Sequence, residues 1–302
     1  MLPFARMLEY GNIAPPPGFM GKFSVLSPNP GGYTVGAQNR SFSTSSGTKI
    51  YTIGGDVTST GYSGELVEYD PVLNEYKLIN TVPNTSLPSI PCYVNGYVYI
   101  LYFPTSSGYP KLRRVNISTG INEELGDVPY ANWTCGLVVS SDGLALYTIN
   151  KSNYRLQRYD ISTNKWDIQG SASFGTYTSD TILMNSDGYI FMLGSSFKRM
   201  DRFGSSVVTL SSPVSAAPFS PFYSTIFMVQ GDTDSIYAYS YSILQRYKIS
   251  TDKWEVISDG QPVVGALTTN AIGCYNPGTN AVYLFYAVVG PGAKGLTVGK
   301  IS

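Results

Sequence analysis

Short runs of alternating apolar and polar residues, separated by turns rich in Gly, Asn, Asp and Ser, extend along most of this chain. The pattern is clearest from Leu156 to Ile168, LQRYDISTNKWDI, and it returns at Leu244 to Ile257 as LQRYKISTDKWEVI. Two β-prone runs around a cluster of Ser, Thr, Asn and Asp are typical of a hairpin. Ser162, Thr163 and Asn164 suit its turn because their side chains form hydrogen bonds with nearby backbone groups.

Six copies of this hairpin pattern follow one another at intervals of roughly 40 to 50 residues. They are aligned on Tyr69, Val115, Tyr159, Met200, Tyr247 and Gly299. An aromatic and β-branched run precedes each copy, and most of these runs follow a turn such as Asn95-Gly96 or Asp187-Gly188, which favours a hairpin. Each unit therefore contains four predicted strands, the number in a propeller blade. The sequence predicts an all-β fold, a six-bladed β-propeller of four-stranded blades.

The sixth predicted blade lacks a fourth strand of its own. Its third strand runs out at Ile301, and an open blade would expose an unpaired strand edge. A β-prone run at Phe23 to Ser27 is predicted to supply the missing strand and so to close the ring. The expected domain organisation is an arm and spacer at residues 1–22 and a propeller at residues 23–302.

The predicted arm is apolar, and a stiff, extended spacer follows it at Pro15-Pro16-Pro17-Gly18. The residues that would form its docking surface are Leu2, Phe4, Met7, Leu8 and Tyr10. Two interpretations stay open at this point. The arm either packs on its own propeller or docks on another protein subunit.

The order of tyrosine, aspartate and tryptophan in the hairpin resembles a Kelch-type blade. Tyr159 to Trp166 and Tyr247 to Trp254 have the spacing that this family uses, and Gly54-Gly55 matches its double glycine in the first unit only. The resemblance extends over about Lys49 to Ser302 and implies a propeller fold. The double glycine is absent from the later units, so the chain would be a divergent member.

Composition narrows the expected partners. Charged residues make up 13% of the chain and the formal net charge is zero, whereas about 25% is usual. Nucleic acids and anionic membranes are bound by clustered Lys and Arg, so neither is expected as a partner. The sequence contains no apolar run long enough for a membrane span and no secretory signal, so synthesis in the cytoplasm is expected.

The chain contains no histidine. Catalytic systems of the Ser-His-Asp and Cys-His kinds are therefore excluded, as are the usual zinc and copper sites, including the copper of Kelch-type oxidases. Asp232-Thr233-Asp234 offers too few oxygen ligands to favour calcium. No catalytic residue, metal or cofactor is predicted, and an enzyme is not expected.

Two further sets of residues are expected to have structural roles. Cys92, Cys135 and Cys274 are expected to be small core residues, because free Cys is usually buried. The arginines are expected to form a surface stripe along the third strands of successive blades, rather than to converge as in a sialidase. They are Arg113, Arg155, Arg158, Arg199 and Arg246.

The loops between second and third strands are predicted to share one face of the propeller with the connections between blades. A tyrosine recurs near the ends of four of these loops: Tyr62, Tyr109, Tyr154 and Tyr241. Tyrosines among Ser and Gly are typical of a recognition surface, because Tyr gives a large contact area at low entropic cost. The alternative is that these rings act as wedges between adjacent blades.

These observations favour a non-enzymatic structural or recognition protein. The low-charge composition, rich in Ser, Thr, Tyr, Gly and Asn, resembles that of tailed-bacteriophage virion proteins, and MLPFARMLEYGN is similar to their short anchoring N-termini. The resemblance implies a capsid decoration or tail component, anchored to other subunits through its arm and presenting a propeller face to protein or surface glycan. The alternatives are a carbohydrate-active enzyme or lectin that uses the propeller mouth, and a cellular Kelch-type adaptor. Such adaptors usually carry a separate assembly domain, for which this chain has no room.

Overall fold

The structure, a computed structural model, describes residues 23–26, 42–54, 57–58, 61–88, 91–104, 110–129, 136–150, 153–175, 178–214, 225–240, 243–258, 273–287 and 296–302. Over these ranges the protein consists of β-strands and turns, without a helix. The strands form six four-stranded antiparallel blades of a β-propeller, which confirms the predicted fold class.

The strand bounds of the first three blades are as follows. Strand β1 (Phe23–Leu26) belongs to the sixth blade. Blade 1 contains β2 (Phe42–Ser45), β3 (Ile50–Gly54), β5 (Gly61–Asp70) and β6 (Glu75–Pro88). The two-residue strand β4 (Val57–Thr58) pairs with β5. Blade 2 contains β7 (Cys92–Val94), β8 (Tyr97–Pro104), β9 (Lys111–Asn116) and β10 (Asn122–Asp127). Blade 3 contains β11 (Val138–Val139), β12 (Ala145–Ile149), β13 (Arg155–Asp160) and β14 (Lys165–Ser173).

The remaining three blades repeat the arrangement. Blade 4 contains β15 (Thr178–Met184), β16 (Tyr189–Gly194), β17 (Phe197–Asp201) and β18 (Val207–Thr209). Blade 5 contains β19 (Thr225–Phe227), β20 (Ser235–Ser240), β21 (Ile243–Lys248) and β22 (Lys253–Ser258). Blade 6 contains β23 (Cys274–Asn276), β24 (Ala281–Ala287), β25 (Leu296–Ile301) and β1.

The first strands of the six blades surround the centre of the ring. Each contacts the first strands of both neighbouring blades, in the order β2, β7, β11, β15, β19, β23 and back to β2. Threonine hydroxyls connect some of these strands: Thr44 accepts a hydrogen bond of 3.1 Å from the Tyr93 N–H, and Thr225 accepts one of 2.9 Å from the Gly273 N–H. Backbone donors at the inner edge are thereby satisfied by the neighbouring blade.

Strand β1 closes the ring as predicted. It pairs antiparallel with β25, from Phe23 opposite Ile301 to Leu26 opposite Val298. The register also corrects one alignment made from sequence: Ile301 lies opposite Val282, as Tyr247 lies opposite Ile236. Ile301, rather than Gly299, is therefore the sixth equivalent position, and the error arose because this unit lacks the tyrosine that marks the copies at Tyr69, Tyr159 and Tyr247.

Blades 6 and 1 also contact each other directly. The Gly278 N–H donates a hydrogen bond of 2.9 Å to the Gly47 carbonyl, and the Asn276 amide donates one of 3.1 Å to the Ser45 hydroxyl. A Cβ at position 278 would overlap the Gly47 carbonyl oxygen, so the turn requires glycine there. These contacts supplement the β1–β25 pairing.

The described core residues form six hydrophobic clusters, and each cluster joins two adjacent blades. In the cluster between blades 3 and 4, Leu156 packs with Ile190 and Met192, and all three are fully buried. Cys92 is buried in the cluster between blades 2 and 3, as expected, whereas Cys274 is half-buried and Cys135 lies outside the described residues. Because neighbouring blades share each cluster, removing one blade face would expose the apolar surface of the next.

The glutamine of the LQRY motif holds the connection that leads into its blade. Gln245 donates a hydrogen bond of 3.0 Å to the Val214 carbonyl and accepts one of 2.9 Å from the Val214 N–H. Gln157 donates to the Pro129 carbonyl in the same way, but its Oε1 has no partner among the described residues. The difference follows from sequence, because proline has no N–H to donate.

Candidate functional site

The strand directions define two faces of the propeller. The turn face carries the turns that join first to second strands and third to fourth strands. The opposite face, here called the loop face, carries the second-to-third loops and the connections between blades. On β13, for example, Arg155 lies at the loop face and Asp160 at the turn face. Of the predicted recognition tyrosines, the two within the described ranges, Tyr62 and Tyr154, belong to the loop face.

Tyr154 has a packing role on the loop face. It adopts a positive φ of 57°, its N–H donates a hydrogen bond of 2.6 Å to the Asn150 carbonyl, and its carbonyl accepts one of 3.0 Å from the Phe174 N–H. Its half-buried ring packs against the cluster between blades 3 and 4. This arrangement matches the wedge interpretation for Tyr154 and still leaves part of the ring accessible.

Of the other candidate residues, Tyr62 lies within the described ranges. Tyr62 lies in β5, where its backbone pairs with Val57 and Thr85. Tyr109 and Tyr241 lie outside the described residues, as do the arm residues Leu2, Phe4, Met7, Leu8 and Tyr10. Their roles in recognition and docking therefore stay predictions.

A second set of tyrosines, which the sequence interpretation missed, stabilises the turn face. In each case the phenolic hydroxyl donates a hydrogen bond of 2.8–3.0 Å to the side-chain oxygen of a residue five positions later. The four pairs are Tyr69 with Asn74, Tyr159 with Asn164, Tyr247 with Asp252 and Tyr275 with Asn280. The acceptor residues have φ between 47° and 56°, the left-handed conformation that Asn and Asp tolerate best. The signal was present in the sequence as a Tyr–Asn/Asp spacing.

The aspartates of the repeat bind backbone N–H groups of the turns. Asp160 accepts hydrogen bonds from the Ser162 and Thr163 N–H groups at 3.1 Å and 3.0 Å, and Asp70 accepts the equivalent pair from Val72 and Leu73. Hydrogen bonds from the Ser162 hydroxyl and then the Thr163 N–H hold the pKa of the Asp160 carboxyl well below its usual range. These carboxylates are ionised structural caps at neutral pH.

In blade 5 a different carboxylate caps the turn between the third and fourth strands. Lys248 replaces the capping aspartate, and Asp234 from the preceding turn accepts the Ser250 N–H at 2.8 Å and the Ser250 hydroxyl at 2.7 Å. Asp232 accepts a hydrogen bond of 3.1 Å from Tyr237, and the Lys248 ammonium lies within 4.0 Å of both carboxylates. The aspartates considered for calcium thus already have protein partners. Across the described ranges, no group of three or more His, Cys, Asp or Glu is placed to hold a metal ion.

The arginines lie on third strands, as predicted, and pair within their own blades. Arg114 donates a hydrogen bond of 2.8 Å to Glu123 opposite it on β10. Arg246 forms the same pair with Glu255 on β22. Their side chains are 22% and 31% exposed, so each pair contributes at most about 1 kcal/mol. Of the predicted surface stripe, Arg246 is therefore a partly buried rung within its blade, whereas Arg158 pairs with Asp160 on its own strand.

Blade 2 carries the densest charged cluster of the described residues. The Lys111 ammonium lies 2.6 Å from Glu124, Tyr102 donates a hydrogen bond to the same carboxylate, and Arg113 stacks 4.5 Å over the Tyr102 ring. Hydrogen bonds from Lys111 and then Tyr102 keep the pKa of Glu124 below its usual range. Glu124 is therefore a poor proton donor at neutral pH.

Comparisons with known proteins identify a fold and no family. No protein-family model matches the chain, and a search of curated proteins found no relative. Among solved structures, the chain resembles a structural-genomics protein of unknown function from Bacteroides thetaiotaomicron, with a TM-score of 0.60 and 12% identity over 92% of this chain and 74% of that chain. The likeness is one of architecture. Within the described part of the chain, no helix has the length and apolar character needed to cross a membrane.

Proposed function

We propose that this protein is a non-enzymatic structural and recognition protein. Its propeller would present the loop face to a protein or glycan partner, and its N-terminal arm would anchor it to other subunits. The observation that carries the proposal is the use of reactive side chains to hold the blades together. Asp160 and Asp234 cap turns, Arg114 and Arg246 pair with acids of their own blades, and Tyr159 braces a turn.

The loop face is the part of the molecule left for recognition. The segments predicted as second-to-third loops, Asp56 to Gly64 and Pro104 to Pro110 among them, combine Tyr with Ser, Thr and Gly. This composition gives amphipathic aromatic contacts surrounded by small, adaptable polar residues. Stacking of tyrosine rings on apolar faces of a sugar, or on protein side chains, requires no catalytic group.

Two finer assignments accompany this proposal. The braced turns, with tyrosine before them and tryptophan after them at Trp166 and Trp254, support a divergent Kelch-type propeller. The low charge and the apolar arm support a virion component, either a capsid decoration or a tail protein. A pull-down from purified virions of the source system, followed by mass spectrometry of the particle, tests the second assignment.

The decisive experiment compares glycan-array binding of the wild-type protein with that of a triple variant, Tyr62→Ser, Tyr109→Ser and Tyr241→Ser. Recognition through the loop face predicts at least a tenfold loss of binding with an unchanged melting temperature. Tyr189→Ser removes a tyrosine that is 37% exposed at the turn face, and serves as the matched control. Binding of the same glycan with equal affinity by the triple variant and the wild-type protein would overturn recognition through the loop face. Cleavage of a bound glycan by the wild-type protein would favour the carbohydrate-active enzyme instead.

A further inference from the structure

Blades 1 and 2 share one continuous sheet at the loop face, whereas the other four blades form separate four-stranded sheets within the described ranges. The two blades are joined by β6, which at 14 residues is the longest strand described. Its loop-face end pairs with the end of β8, with Thr85 opposite Pro104 and Pro88 opposite Tyr102. The shared part, called the sheet extension below, consists of residues 57–58, 61–64, 82–88 and 102–104.

The sheet extension brings one residue from each of four strands into a single row. Tyr62 of β5 lies opposite Val57 of β4 on one side and opposite Thr85 of β6 on the other. Thr85 in turn lies opposite Pro104 of β8. Directly opposite positions on neighbouring strands belong to the same face of a sheet. Tyr62, predicted from sequence as a recognition residue, therefore has a central register position in this row.

The loop face is unevenly built. Strand β5 has 10 residues, four more than the equivalent strands β13 and β21 with six each. Four residues correspond to about 13 Å of strand. In blades 4 and 5, by contrast, the second and third strands are joined by two residues, Ser195-Ser196 and Tyr241-Ser242. More strand is therefore available for contact at blades 1 and 2 than at blades 4 and 5.

Described side chains hold the base of the sheet extension. Tyr102 is buried, its hydroxyl donates a hydrogen bond to Glu124, and the Arg113 guanidinium lies 4.5 Å from the centre of its ring. Lys111, opposite Tyr102 on β9, and Arg113 lie 2.6 Å and 3.7 Å from the Glu124 carboxylate. These three charged side chains are thereby paired with one another. A surface that is held in place before binding loses less conformational freedom on association.

The segments that form the sheet extension are uncharged and rich in hydroxyl groups. Residues 57–64, 81–88 and 103–109 contain no Asp, Glu, Lys or Arg, and most of them are Ser, Thr, Tyr, Gly or Pro. Ser and Thr hydroxyls both donate and accept hydrogen bonds, as sugar hydroxyls do. Carboxylate and sulfate groups are instead bound by Arg and Lys. Of the residues enriched at protein-binding hot spots, Trp, Tyr and Arg, these segments contain Tyr alone. The chemistry therefore favours a neutral sugar over an acidic sugar or a protein.

We propose that the sheet extension is the ligand-binding part of the loop face and that its ligand is a neutral glycan. Tyr62 supplies the ring that stacks on a sugar, and Thr85 and the adjacent Ser and Thr residues bind the sugar hydroxyls. The inference rests on the proposed function and narrows it in two ways. It assigns binding to blades 1 and 2 rather than to the whole loop face, and it restricts the ligand to uncharged sugars.

Titration with neutral and acidic oligosaccharides selected on a glycan array tests the inference. Tyr62→Ser should weaken binding of a neutral glycan by roughly tenfold or more, the effect of losing a central aromatic contact. Tyr62→Phe keeps the ring and should bind nearly as well as the wild-type protein. Tyr241→Ser, in the two-residue connection of blade 5, is the matched control and should retain wild-type affinity. Melting temperatures of the variants show whether each is folded.

A second measurement requires no variant. The affinity of the wild-type protein for a neutral glycan should be the same at about 0.1 M and about 1 M salt, because no ion pair is formed with the ligand. Binding confined to sialylated or uronate-containing glycans, and weakened by salt, would overturn the inference while leaving recognition through the loop face intact.

Two further results would contradict the inference. Loss of binding in Tyr241→Ser but not in Tyr62→Ser would move the site to another part of the loop face. A folded wild-type protein that binds no glycan would exclude a sugar ligand, whereas the proposed recognition of a protein partner would still be tested by the pull-down.

Discussion

The hydroxyl group of Tyr159 lies 2.8 Å from the side-chain oxygen of Asn164, which adopts a φ of 55° in the turn between β13 and β14. Burial raises the pKa of Tyr159 to about 12, so the hydroxyl remains a donor throughout the physiological range. The bond connects a side chain of the hydrophobic core to the most strained residue of the turn. The tyrosine of the repeat is therefore a brace that fixes the turn between the third and fourth strands.

Removing this brace is expected to destabilise the protein without altering its fold. Tyr159→Phe deletes one buried hydrogen bond, which corresponds to a loss of about 1 kcal/mol in the free energy of unfolding. Asn164→Gly keeps the left-handed conformation and should cost a similar amount. Because both variants remove the same bond, the double variant should cost clearly less than the sum, as measured by urea unfolding. Strict additivity would show that the bond contributes nothing.

The sequence predicted the blades well because strand alternation and turn residues are local properties. Asn95-Gly96 and Asp187-Gly188 form turns between the first and second strands where they were expected. The closing strand was also predictable, since an unpaired edge at β25 requires a partner. The register of the sixth blade was not, because it depends on which residue of β24 lies opposite Ile301.

The candidate site was less accessible to sequence reasoning. Rings that brace turns and rings that line a face are the same residue type, so Tyr159 and Tyr154 cannot be separated without their contacts. The Arg114–Glu123 rung was missed for a similar reason. Its partners are separated by a turn, and only the pairing of β9 with β10 brings them opposite each other.

Glycines at the contact between blades 3 and 4 should be irreplaceable. Gly170 has a φ of 55°, and a Cβ there would overlap the carbonyl oxygens of Gly204 and Phe203. Gly170→Ala should therefore lower the free energy of unfolding by more than about 3 kcal/mol, a loss that is exceptional for one substitution. Gly126→Ala is the matched control, because Gly126 also has a positive φ but no atom within 4 Å of the added Cβ. It should cost only about 1 kcal/mol, and equal losses in the two variants would contradict the steric explanation.

Stability should fall in acid through the turn-capping aspartates. Burial acts to raise the pKa of Asp201, but hydrogen bonds from Ser205, Phe203 and Ser206 outweigh it and lower that pKa to about 2. A carboxyl whose pKa is lower in the folded than in the unfolded chain, where it is about 3.9, stabilises the fold above that value and loses this contribution as the pH falls. The free energy of unfolding should thus decrease between about pH 4 and pH 2.

Asp201→Asn tests this assignment in urea titrations at several pH values. The amide cannot accept with both of its heavy atoms, so the variant should be less stable at pH 7 and should show a shallower decrease in acid. Glu75→Gln replaces an exposed carboxylate at the start of β6 and should retain the wild-type slope. An unchanged slope in Asp201→Asn would remove Asp201 from the explanation.

Ring closure predicts a sharp difference between two truncations. A chain that begins at Phe23 keeps β1 and should unfold in one cooperative transition. A chain that begins at Ser27 loses every β1–β25 pair, exposes the edge of β25, and should melt broadly at lower temperature or aggregate. Differential scanning calorimetry of both chains checks this, and wild-type-like melting of the shorter one would disprove closure by β1.

The unequal environments of Gln157 and Gln245 allow a test of how blade connections are held. Both side chains are buried, and each forms a hydrogen bond with the connection that precedes its blade. Pro129 has no N–H group, however, whereas the Val214 N–H donates a hydrogen bond to Gln245. Pro129→Val should add the missing donor for Gln157, a gain of about 1 kcal/mol that the greater freedom of the unfolded chain largely offsets. The single variant is therefore uninformative, and the coupling between positions is the quantity to measure.

In a double-mutant cycle, Pro129→Val should stabilise the wild-type background by about 1 kcal/mol more than it stabilises Gln157→Met, because only glutamine can accept the new N–H. The reciprocal variant Val214→Pro removes a bond that exists and should destabilise blade 5 unless Gln245→Met is already present. Urea unfolding of the four proteins in each cycle gives both coupling energies. A coupling energy below about 0.3 kcal/mol is what independent sites show. Such a value in both cycles would mean that the glutamines hold the connections only by donating to the carbonyl groups of residues 129 and 214.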